Sequence, residues 1–381
     1  MKRVFLVTDY FRPAPGGMEA LFTGLARQWS SDSIEVFVTS DPALEASVER
    51  ERVAFDRTEN YRVHRMGPPG SIWPFSRRRQ FVERYVRECL ARFAPDHLLL
   101  ADIRKENRVF VQVAAERGVG YSVFLHGNDL KNRLGLLNLL DRRLALGAQN
   151  IFAVSRYIAR GARGFGIPEE RITVIPPGFE PRWSRSRREA LPDFLEQRIR
   201  GKTVIVGLGP LVPRKGLHFA IQALATIRDL ASRLHLVLMG SGPEFAYIKE
   251  LVRIYQLEQM VSMTDFVPDR MLATILSRAD FLVQPGAERE DDVESLGTVF
   301  MEAAWFGMPV IAGRLGGIEE IVRHGVSGFV IEPGNVTELA DRIRQMVESE
   351  KLRSRFSRNA RDIARRDFDM SRTCSAIEMR I

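Results

Sequence analysis

Cysteine is nearly absent from this chain of 381 residues: Cys89 and Cys374 are its two, too far apart to form a metal knuckle or a redox pair. That excludes a disulfide-stapled scaffold and a zinc ribbon and fits a reducing compartment. Long apolar runs are missing as well. No stretch approaches the ~18 consecutive apolar residues of a membrane span. The opening MKRVFLVTDYF has only a short apolar run before Asp9, so Val4–Thr8 reads as a first strand rather than a signal peptide. The six histidines show no H-x-x-x-H or similar ligand spacing, so no metal requirement is expected. Lysine is scarce, 7 residues against 49 arginines. The formal charge of +8 and pI near 9.7 suit an anionic partner. Arginine dispersed through every segment is not the basic stripe of a nucleic-acid-binding protein, and no nucleic-acid partner is expected.

Two nucleotide motifs are also lacking. No G-x-G-x-x-G follows a strand: GLGPLV from Gly207 and GSGPEF from Gly240 both lack the third glycine, which argues against a dinucleotide oxidoreductase. Gly201-Lys202-Thr203 is preceded by Glu196 where a P-loop needs glycine.

What the sequence does contain is ordinary globular material, 45% hydrophobic and 27% charged, long enough for more than one core. Short runs of Val, Ile, Leu and Phe alternate with amphipathic stretches, the pattern of βαβ units building a parallel sheet. The pattern occurs twice. Strands are predicted at Val4–Thr8, Ile34–Thr39, Tyr61–Arg65, His97–Ala101, Tyr121–Leu125 and Ile151–Val154. A second set is predicted at Val204–Gly207, His235–Met239, Val261–Phe266, Phe281–Gln284, Val310–Ala312 and Phe329–Ile331. Between the sets lie Pro176-Pro177-Gly178 and a basic, proline-containing stretch from Pro181 to Lys202. The fold class is therefore α/β, with two doubly wound, Rossmann-like domains. Ligands of open α/β sheets bind outside the carboxyl ends of the strands, so the functional residues belong on the loops there.

Those loops carry several features. Gly16-Gly17 opens a helix after the first strand, where bare backbone lets N–H groups approach a phosphate. Arg214 and Lys215 precede a helix that starts near Gly216, a cationic side chain beside a helix N-terminus. In EREDDVESLGTVFMEA, Glu294 and Glu302 are separated by seven residues, and Ser295, Leu296 and Gly297 lead into the helix that contains Glu302. One carboxylate before an anion site and one beyond it suit recognition of hydroxyl groups on either side of a diphosphate. His126, with Asn128 and Asp129, forms a polar group directly after a buried strand.

Taken together these loops resemble the retaining glycosyltransferases of family 4. The likeness rests on the Gly-Gly-x-Glu loop at Gly16–Glu19, the His-Gly turn at His126, VSRYIARG…IPEERITVIPPGFE from Val154, LVPRKG at Leu211, GSGP at Gly240, the Glu294/Glu302 pair, and GGIEEIV…GVSGFVIEP from Gly316. The stretch DVESLGTVFMEA…GMPVIAG is especially similar to phosphatidylinositol mannosyltransferases. The resemblance implies the GT-B fold, two Rossmann-like domains facing a central cleft, with an acceptor domain over 1–190 and a nucleotide-sugar donor domain over 191–361. The C-terminal helix, about 362–381, is expected to pack back on the first.

The resemblance also implies roles. Glu294 binds donor-sugar hydroxyls, Glu302 the nucleoside ribose, and Lys215, with Arg214, the diphosphate. Gly16, Gly17 and the amides of Ser295, Leu296 and Gly297 line the sugar and pyrophosphate. His126 contacts the donor sugar near the reacting carbon, and the backbone at Val267 meets the base. The implied reaction is retaining and metal-independent, without a cofactor, from GDP-mannose or a UDP-sugar to a lipid or polysaccharide acceptor. Two positions depart from the family. Pro210 stands where the family places an arginine, and Asp265 where it commonly has glycine. A GT-B-shaped accessory protein with reduced turnover is the alternative that Pro210 motivates.

On the acceptor side, Trp73, Phe75, Phe81 and Tyr85 are interleaved with Arg77, Arg78, Arg79, Arg84 and Arg87. Such a segment suits an interfacial helix on anionic lipid, placing the protein at the cytoplasmic face of a membrane.

Overall fold

The computed structural model describes residues 2–14, 16–39, 46–65, 75–104, 107–127, 136–179, 189–265, 267–288 and 296–381; for 46–49, 75–79, 136–140 and 269 it describes the backbone alone. Two compact units emerge, one of Met1–Glu180 with Phe368–Ile381, the other of Pro181–Asp367.

The strands of the first unit are β1 (Val4–Thr8), β2 (Ile34–Val38), β3 (Arg62–Arg65), β4 (His97–Leu100), β5 (Gly120–Leu125), β6 (Asn150–Ala153) and β7 (Ile172–Val174). Its helices are α1 (Gly17–Gln28), α2 (Ala46–Asp56), α3 (Phe75–Phe93), α4 (Arg108–Ala115), α5 (Leu136–Gly147) and α6 (Arg156–Gly164). The second unit contributes α7 (Asp193–Ile199), β8 (Thr203–Leu208), α8 (Leu217–Thr226), β9 (Leu234–Met239), α9 (Phe245–Ile254), β10 (Val261–Thr264), α10 (Asp269–Arg278) and β11 (Phe281–Gln284). It continues with α11 (Thr298–Phe306), β12 (Val310–Gly313), β13 (Gly328–Ile331), α12 (Val336–Glu348) and α13 (Glu350–Asp367); α14 (Met370–Glu378) belongs to the first unit.

Both sheets are parallel, in the orders β3-β2-β1-β4-β5-β6-β7 and β10-β9-β8-β11-β12-β13. Each reverses direction once, between β1 and β4 and between β8 and β11. Helices cover both faces of such a sheet, so its strands are continuously apolar: β1 (VFLVT) and β9 (LHLVLM) are buried at every residue. The twelve predicted strands match observed ones to within two residues at either end. The edge strands of the first sheet depart from the apolar rule: β3 (RVHR) buries His64 alone, and β7 has half-buried Ile172 and Thr173 and an exposed Val174, with no apolar run to read.

Each sheet also buries a histidine on a strand. His97 Nε2 lies 2.9 Å from Ser122 Oγ, and Asn150 Nδ2 donates both to that oxygen, at 3.1 Å, and to Arg380 O, at 2.9 Å. In the second sheet His235 Nε2 lies 2.9 Å from Ser262 Oγ. Burial pushes both imidazoles down to about 4, because charging a desolvated ring is costly.

The C-terminal segment is pinned to the first unit by main-chain and side-chain bonds: Phe179 N donates to Phe368 O at 2.9 Å, and Thr373 Oγ1 to Pro176 O at 2.9 Å. Asp369 caps α14 by accepting from Ser371 N and Arg372 N. Gly178 is required for this docking, since a Cβ there would sit 2.4 Å from Met370 Cα. Ile377, fully buried, joins the core of the first unit.

Two outcomes follow from this packing. Ile377→Ala should destabilise the first unit by roughly 2–5 kcal/mol, read as a lowered denaturation midpoint; an unchanged midpoint would show that α14 does not contribute to that core. Because His97 and His235 have lowered pKa values, the unfolded chain binds more protons than the folded one between about pH 4 and the ordinary histidine value. Stability should therefore rise with pH across that window and flatten above it, and neither imidazole should titrate by NMR above about pH 5.

Candidate functional site

In the second unit the loops at the carboxyl edge are joined backbone to backbone. Gly209 N donates to Met239 O at 3.0 Å, Leu211 N to Ser241 O at 2.8 Å, and Gly240 N to Thr264 O at 2.9 Å. Gly286 N donates to Lys215 O at 3.1 Å and Ala287 N to Arg214 O at 3.0 Å. Glycine is obligatory where these strips touch. A Cβ at Gly240 would stand 1.9 Å from Gly209 O, and at Gly313 1.9 Å from Pro285 O.

Arg214 and Lys215 lie in a single 3-10 turn, Pro213–Lys215, that runs through a left-handed Gly216 into α8. Lys215 is buried, 6% exposed, and Arg214 beside it is half-buried. A fixed, largely dry ammonium next to a helix N-terminus is a strong anion site. Pro210 is in the same loop, with no charge and no N–H to offer.

The second element is α11. Gly297 precedes it at φ 77°, ψ 90°, a region that favours glycine, and has no side chain to cap the helix, so the first-turn N–H groups depend on other acceptors. Leu296 is buried, and Glu302 is half-buried about 6 Å along the axis from Thr298, the first residue of α11, at about 1.5 Å per residue. Glu294 and Ser295 lie outside the described residues, as does Arg289. Val267 is in the loop between β10 and α10, two residues past Asp265.

At the carboxyl edge of the first unit, Gly16 and Gly17 open α1, with Ala20 N donating to Gly16 O at 3.1 Å. A Cβ on Gly16 would fall 1.9 Å from Glu19 Oε2, so the glutamate carboxylate lies over the bare glycine. Burial raises the Glu19 pKa.

His126 follows β5. Its ring stacks on Phe124 at 5.8 Å and 13°, meets Phe22 edge-on at 5.7 Å, and places Nε2 2.9 Å from Ala101 O. A carbonyl oxygen only accepts, so Nε2 carries the proton. Burial pushes the ring down to about 3, which keeps it neutral. Any role for His126 is that of a neutral imidazole, a hydrogen-bonding group rather than a cation. Beside it lies a charged cluster that the sequence reading did not assemble: Asp9 and Tyr10 after β1, Asp102 and Arg104 after β4. The available signal was position alone, since each follows the end of an apolar strand.

Asn128, Asp129 and Trp73 lie outside the described residues. Phe75, Arg77, Arg78 and Arg79 are within α3, where the backbone alone is described. Further along α3, Phe81 is exposed and stacks on Tyr85 at 6.4 Å, while Tyr85 packs inward on Phe37 at 5.7 Å. Arg87 is bound to Glu83 and Glu116, and Arg84 faces Glu88 at 3.8 Å. No described helix is long and apolar enough to cross a membrane. Among the described residues no group of three His, Cys, Asp or Glu side chains could hold a metal ion.

Residues 16–178 match the glycosyl transferase 4-like domain and residues 193–363 the glycosyl transferases group 1. The chain is 29% identical over 360 residues to the GDP-mannose-dependent alpha-(1-6)-phosphatidylinositol monomannoside mannosyltransferase of Mycobacterium tuberculosis, covering 91% of this chain and 89% of that one. It is 26% identical over 285 residues to the putative colanic acid biosynthesis glycosyltransferase WcaL of Salmonella typhimurium, covering 74% and 66%. In structure it is similar to Anabaena Alr3699/HepE in complex with UDP, with a TM-score of 0.75, 23% identity and coverage of 100% and 99%. With its two Rossmann-like units and both halves matched in order, the chain belongs to the family 4 glycosyltransferases of the GT-B fold and is a hexosyltransferase.

Proposed function

We propose that this enzyme transfers a hexosyl unit from a nucleotide-diphosphate sugar, GDP-mannose or a UDP-sugar, to a lipid-linked or polysaccharide acceptor in cell-envelope glycan synthesis. The observation that carries the reading is the edge of the second unit, where buried Lys215 sits on a loop hydrogen-bonded to Gly286 and α11 begins at Gly297 without a capping side chain. In this reading Lys215 and the α11 N-terminus stabilise the departing diphosphate, preorganised charge that costs no rearrangement during transfer. Glu302 accepts from the ribose hydroxyls, Glu294 from those of the sugar, and the backbone at Val267 meets the base. Gly16 and Gly17 line the sugar, with neutral His126, its Nε2 proton given to Ala101 O, accepting through Nδ1 near the reacting carbon.

The relatives support a nucleotide-sugar donor, since one is GDP-mannose-dependent by name and one is seen with UDP. A retaining, metal-independent course rests on the family resemblance. Pro210 supports a second reading, an accessory protein with reduced turnover. Arg214, adjacent to Lys215, is the described cation that would take over the missing contact.

The reading is tested by nucleotide binding and donor turnover with GDP-mannose and UDP-glucose. Glu302→Ala should weaken nucleotide binding by roughly tenfold to a hundredfold. Lys215→Ala should lower transfer or donor hydrolysis by about a hundredfold or more. Binding without any turnover of either donor would favour the accessory protein, and no nucleotide binding at all would overturn both readings.

Exposed Phe81 and the arginines at the start of α3 support a peripheral position on anionic lipid. The protein should sediment with vesicles containing anionic phospholipid and be released at high salt. Unchanged sedimentation with and without such vesicles would count against that placement.

A further inference from the structure

In the second unit several arginines have an evident structural task. Arg278 closes on Glu196, Arg314 on Glu319 and Glu332, Arg344 on Asp229, and Arg353 on Asp280. On α12 opposite charges stand one turn apart, Glu338 with Arg342 at 3.5 Å and Arg344 with Glu348 at 3.5 Å, an arrangement that supports a helix. The next helix is built differently.

The inward face of α13 is apolar, with Phe356, Ala360, Ile363 and Ala364 buried. Phe356 meets Phe329 edge-on at 5.2 Å, and Ala360 and Ala364 form a small seam with Ala304 of α11. Arg361 closes the end of the seam, donating from Nη2 to Phe306 O at 3.2 Å. A Cβ on Gly307, which ends α11 at φ 66°, would stand 2.1 Å from Arg361 Nε. The contact is therefore with the C-terminal end of α11, about 12 Å along its axis from Thr298.

The opposite face carries charge of one sign. Lys351, Arg355, Arg358 and Arg365 are exposed, and at about 100° per residue they fall within an arc of roughly 80°, turned away from the buried side. Among the described residues none of the four makes an ion pair. The Arg355 guanidinium lies 5.2 Å from the centre of the Phe356 ring, which leaves its charge outward. Asp362 is the carboxylate that α13 places on this arc, one against four. Like charges at i, i+3 and i, i+4, as in Lys351 with Arg355 and Arg355 with Arg358, destabilise a helix. Within its own unit this face gains nothing from its charge.

An anionic surface supplies the missing partner. The four cations extend over about 21 Å of helix. No exposed apolar side chain is interleaved with them, since Leu352 is half-buried and Phe356 buried. A single-stranded nucleic acid would need aromatic platforms for its bases, and a protein partner an apolar anchor. A bilayer needs neither, because its surface potential acts on any basic segment within a Debye length. We propose that the outward face of α13 is an electrostatic contact for an anionic phospholipid bilayer. This goes beyond the placement proposed for α3: it belongs to the other unit, inserts no apolar side chain, and holds by charge alone.

The test is co-sedimentation of the full chain with vesicles of phosphatidylcholine and phosphatidylglycerol in equal parts, and with phosphatidylcholine alone. Arg355→Gln, Arg358→Gln and Arg365→Gln, combined, should weaken binding to the anionic vesicles by about tenfold or more, since each basic residue near such a surface contributes roughly fivefold. The combination should also flatten the salt dependence, which loss of packing would not do. A control triple variant, Arg143→Gln, Arg200→Gln and Arg233→Gln, removes the same charge from exposed positions elsewhere and should change binding by less than about threefold. Melting temperature and nucleotide binding should be unchanged in both. Equal loss in the two triple variants, or no loss in the first, would overturn the inference. If Phe81→Ser abolished binding while the α13 variant kept it, the placement through α3 would stand without this contact. Failure of the unaltered protein to sediment with anionic vesicles would overturn both. Tighter binding of a single-stranded oligonucleotide than of the vesicles, lost in the α13 variant, would assign the face to nucleic acid and overturn the lipid contact.

Discussion

A parallel sheet buried on both faces must satisfy the last amide of every strand without water, and that constraint organises both units. The solution is to continue each ladder one residue into the loop. Thr39 N donates to Thr8 O at 3.0 Å, Ala101 N to Val7 O at 2.9 Å and Ile175 N to Ala153 O at 2.9 Å in the first sheet. The bonds from Gly209 and Gly240 do the same in the second. Polar side chains therefore begin one or two residues beyond each strand, at Asp9, Asp102 and His126. Where the order reverses, between β1 and β4, neighbouring loops leave in opposite directions. Asp9 and Arg104 come from the two strands flanking that point.

The same constraint explains what could be read from the sequence. Strands that must be apolar on both faces appear as unbroken runs, so β1 and β11 have the bounds their composition suggests. The turn at Gly297 and the cationic loop at Lys215 were legible because a helix start and a glycine are local features. Two kinds of feature were not. β7 is an edge strand of three residues, two half-buried and one exposed, too short for periodicity to register. The Asp9–Arg104 pair spans 95 residues, and nothing in DYFRP or ADIRK marks either as the partner of the other. Only the order of the strands brings them together.

Histidine shows how environment overrides residue type. His97, His126 and His235 are all held neutral by burial, yet two of them lie within strands, near serine hydroxyls, and one lies at the strand end. For His126 the neutral state is enforced further by ring packing between Phe22 and Phe124. A cation there would require breaking that packing or admitting water. Its chemistry is therefore confined to hydrogen bonding, and in the proposed reading charge stabilisation at the leaving group falls to Lys215.

The two carboxyl edges differ in kind. In the second unit the surface is mostly backbone: Gly209, Gly216, Gly240, Gly286 and Gly313 press loops together so closely that a methyl group at Gly216, Gly240 or Gly313 would collide with a carbonyl. In the proposed reading amides and one lysine recognise what nucleotide-diphosphate donors share, and an edge with few side chains leaves little to vary. In the first unit the edge is built from side chains with opposed charges, Asp9, Tyr10, Asp102 and Arg104, whose net field changes with any single substitution. In the proposed reading donor binding rests on chain geometry, which drifts slowly because backbone contacts survive most side-chain substitutions.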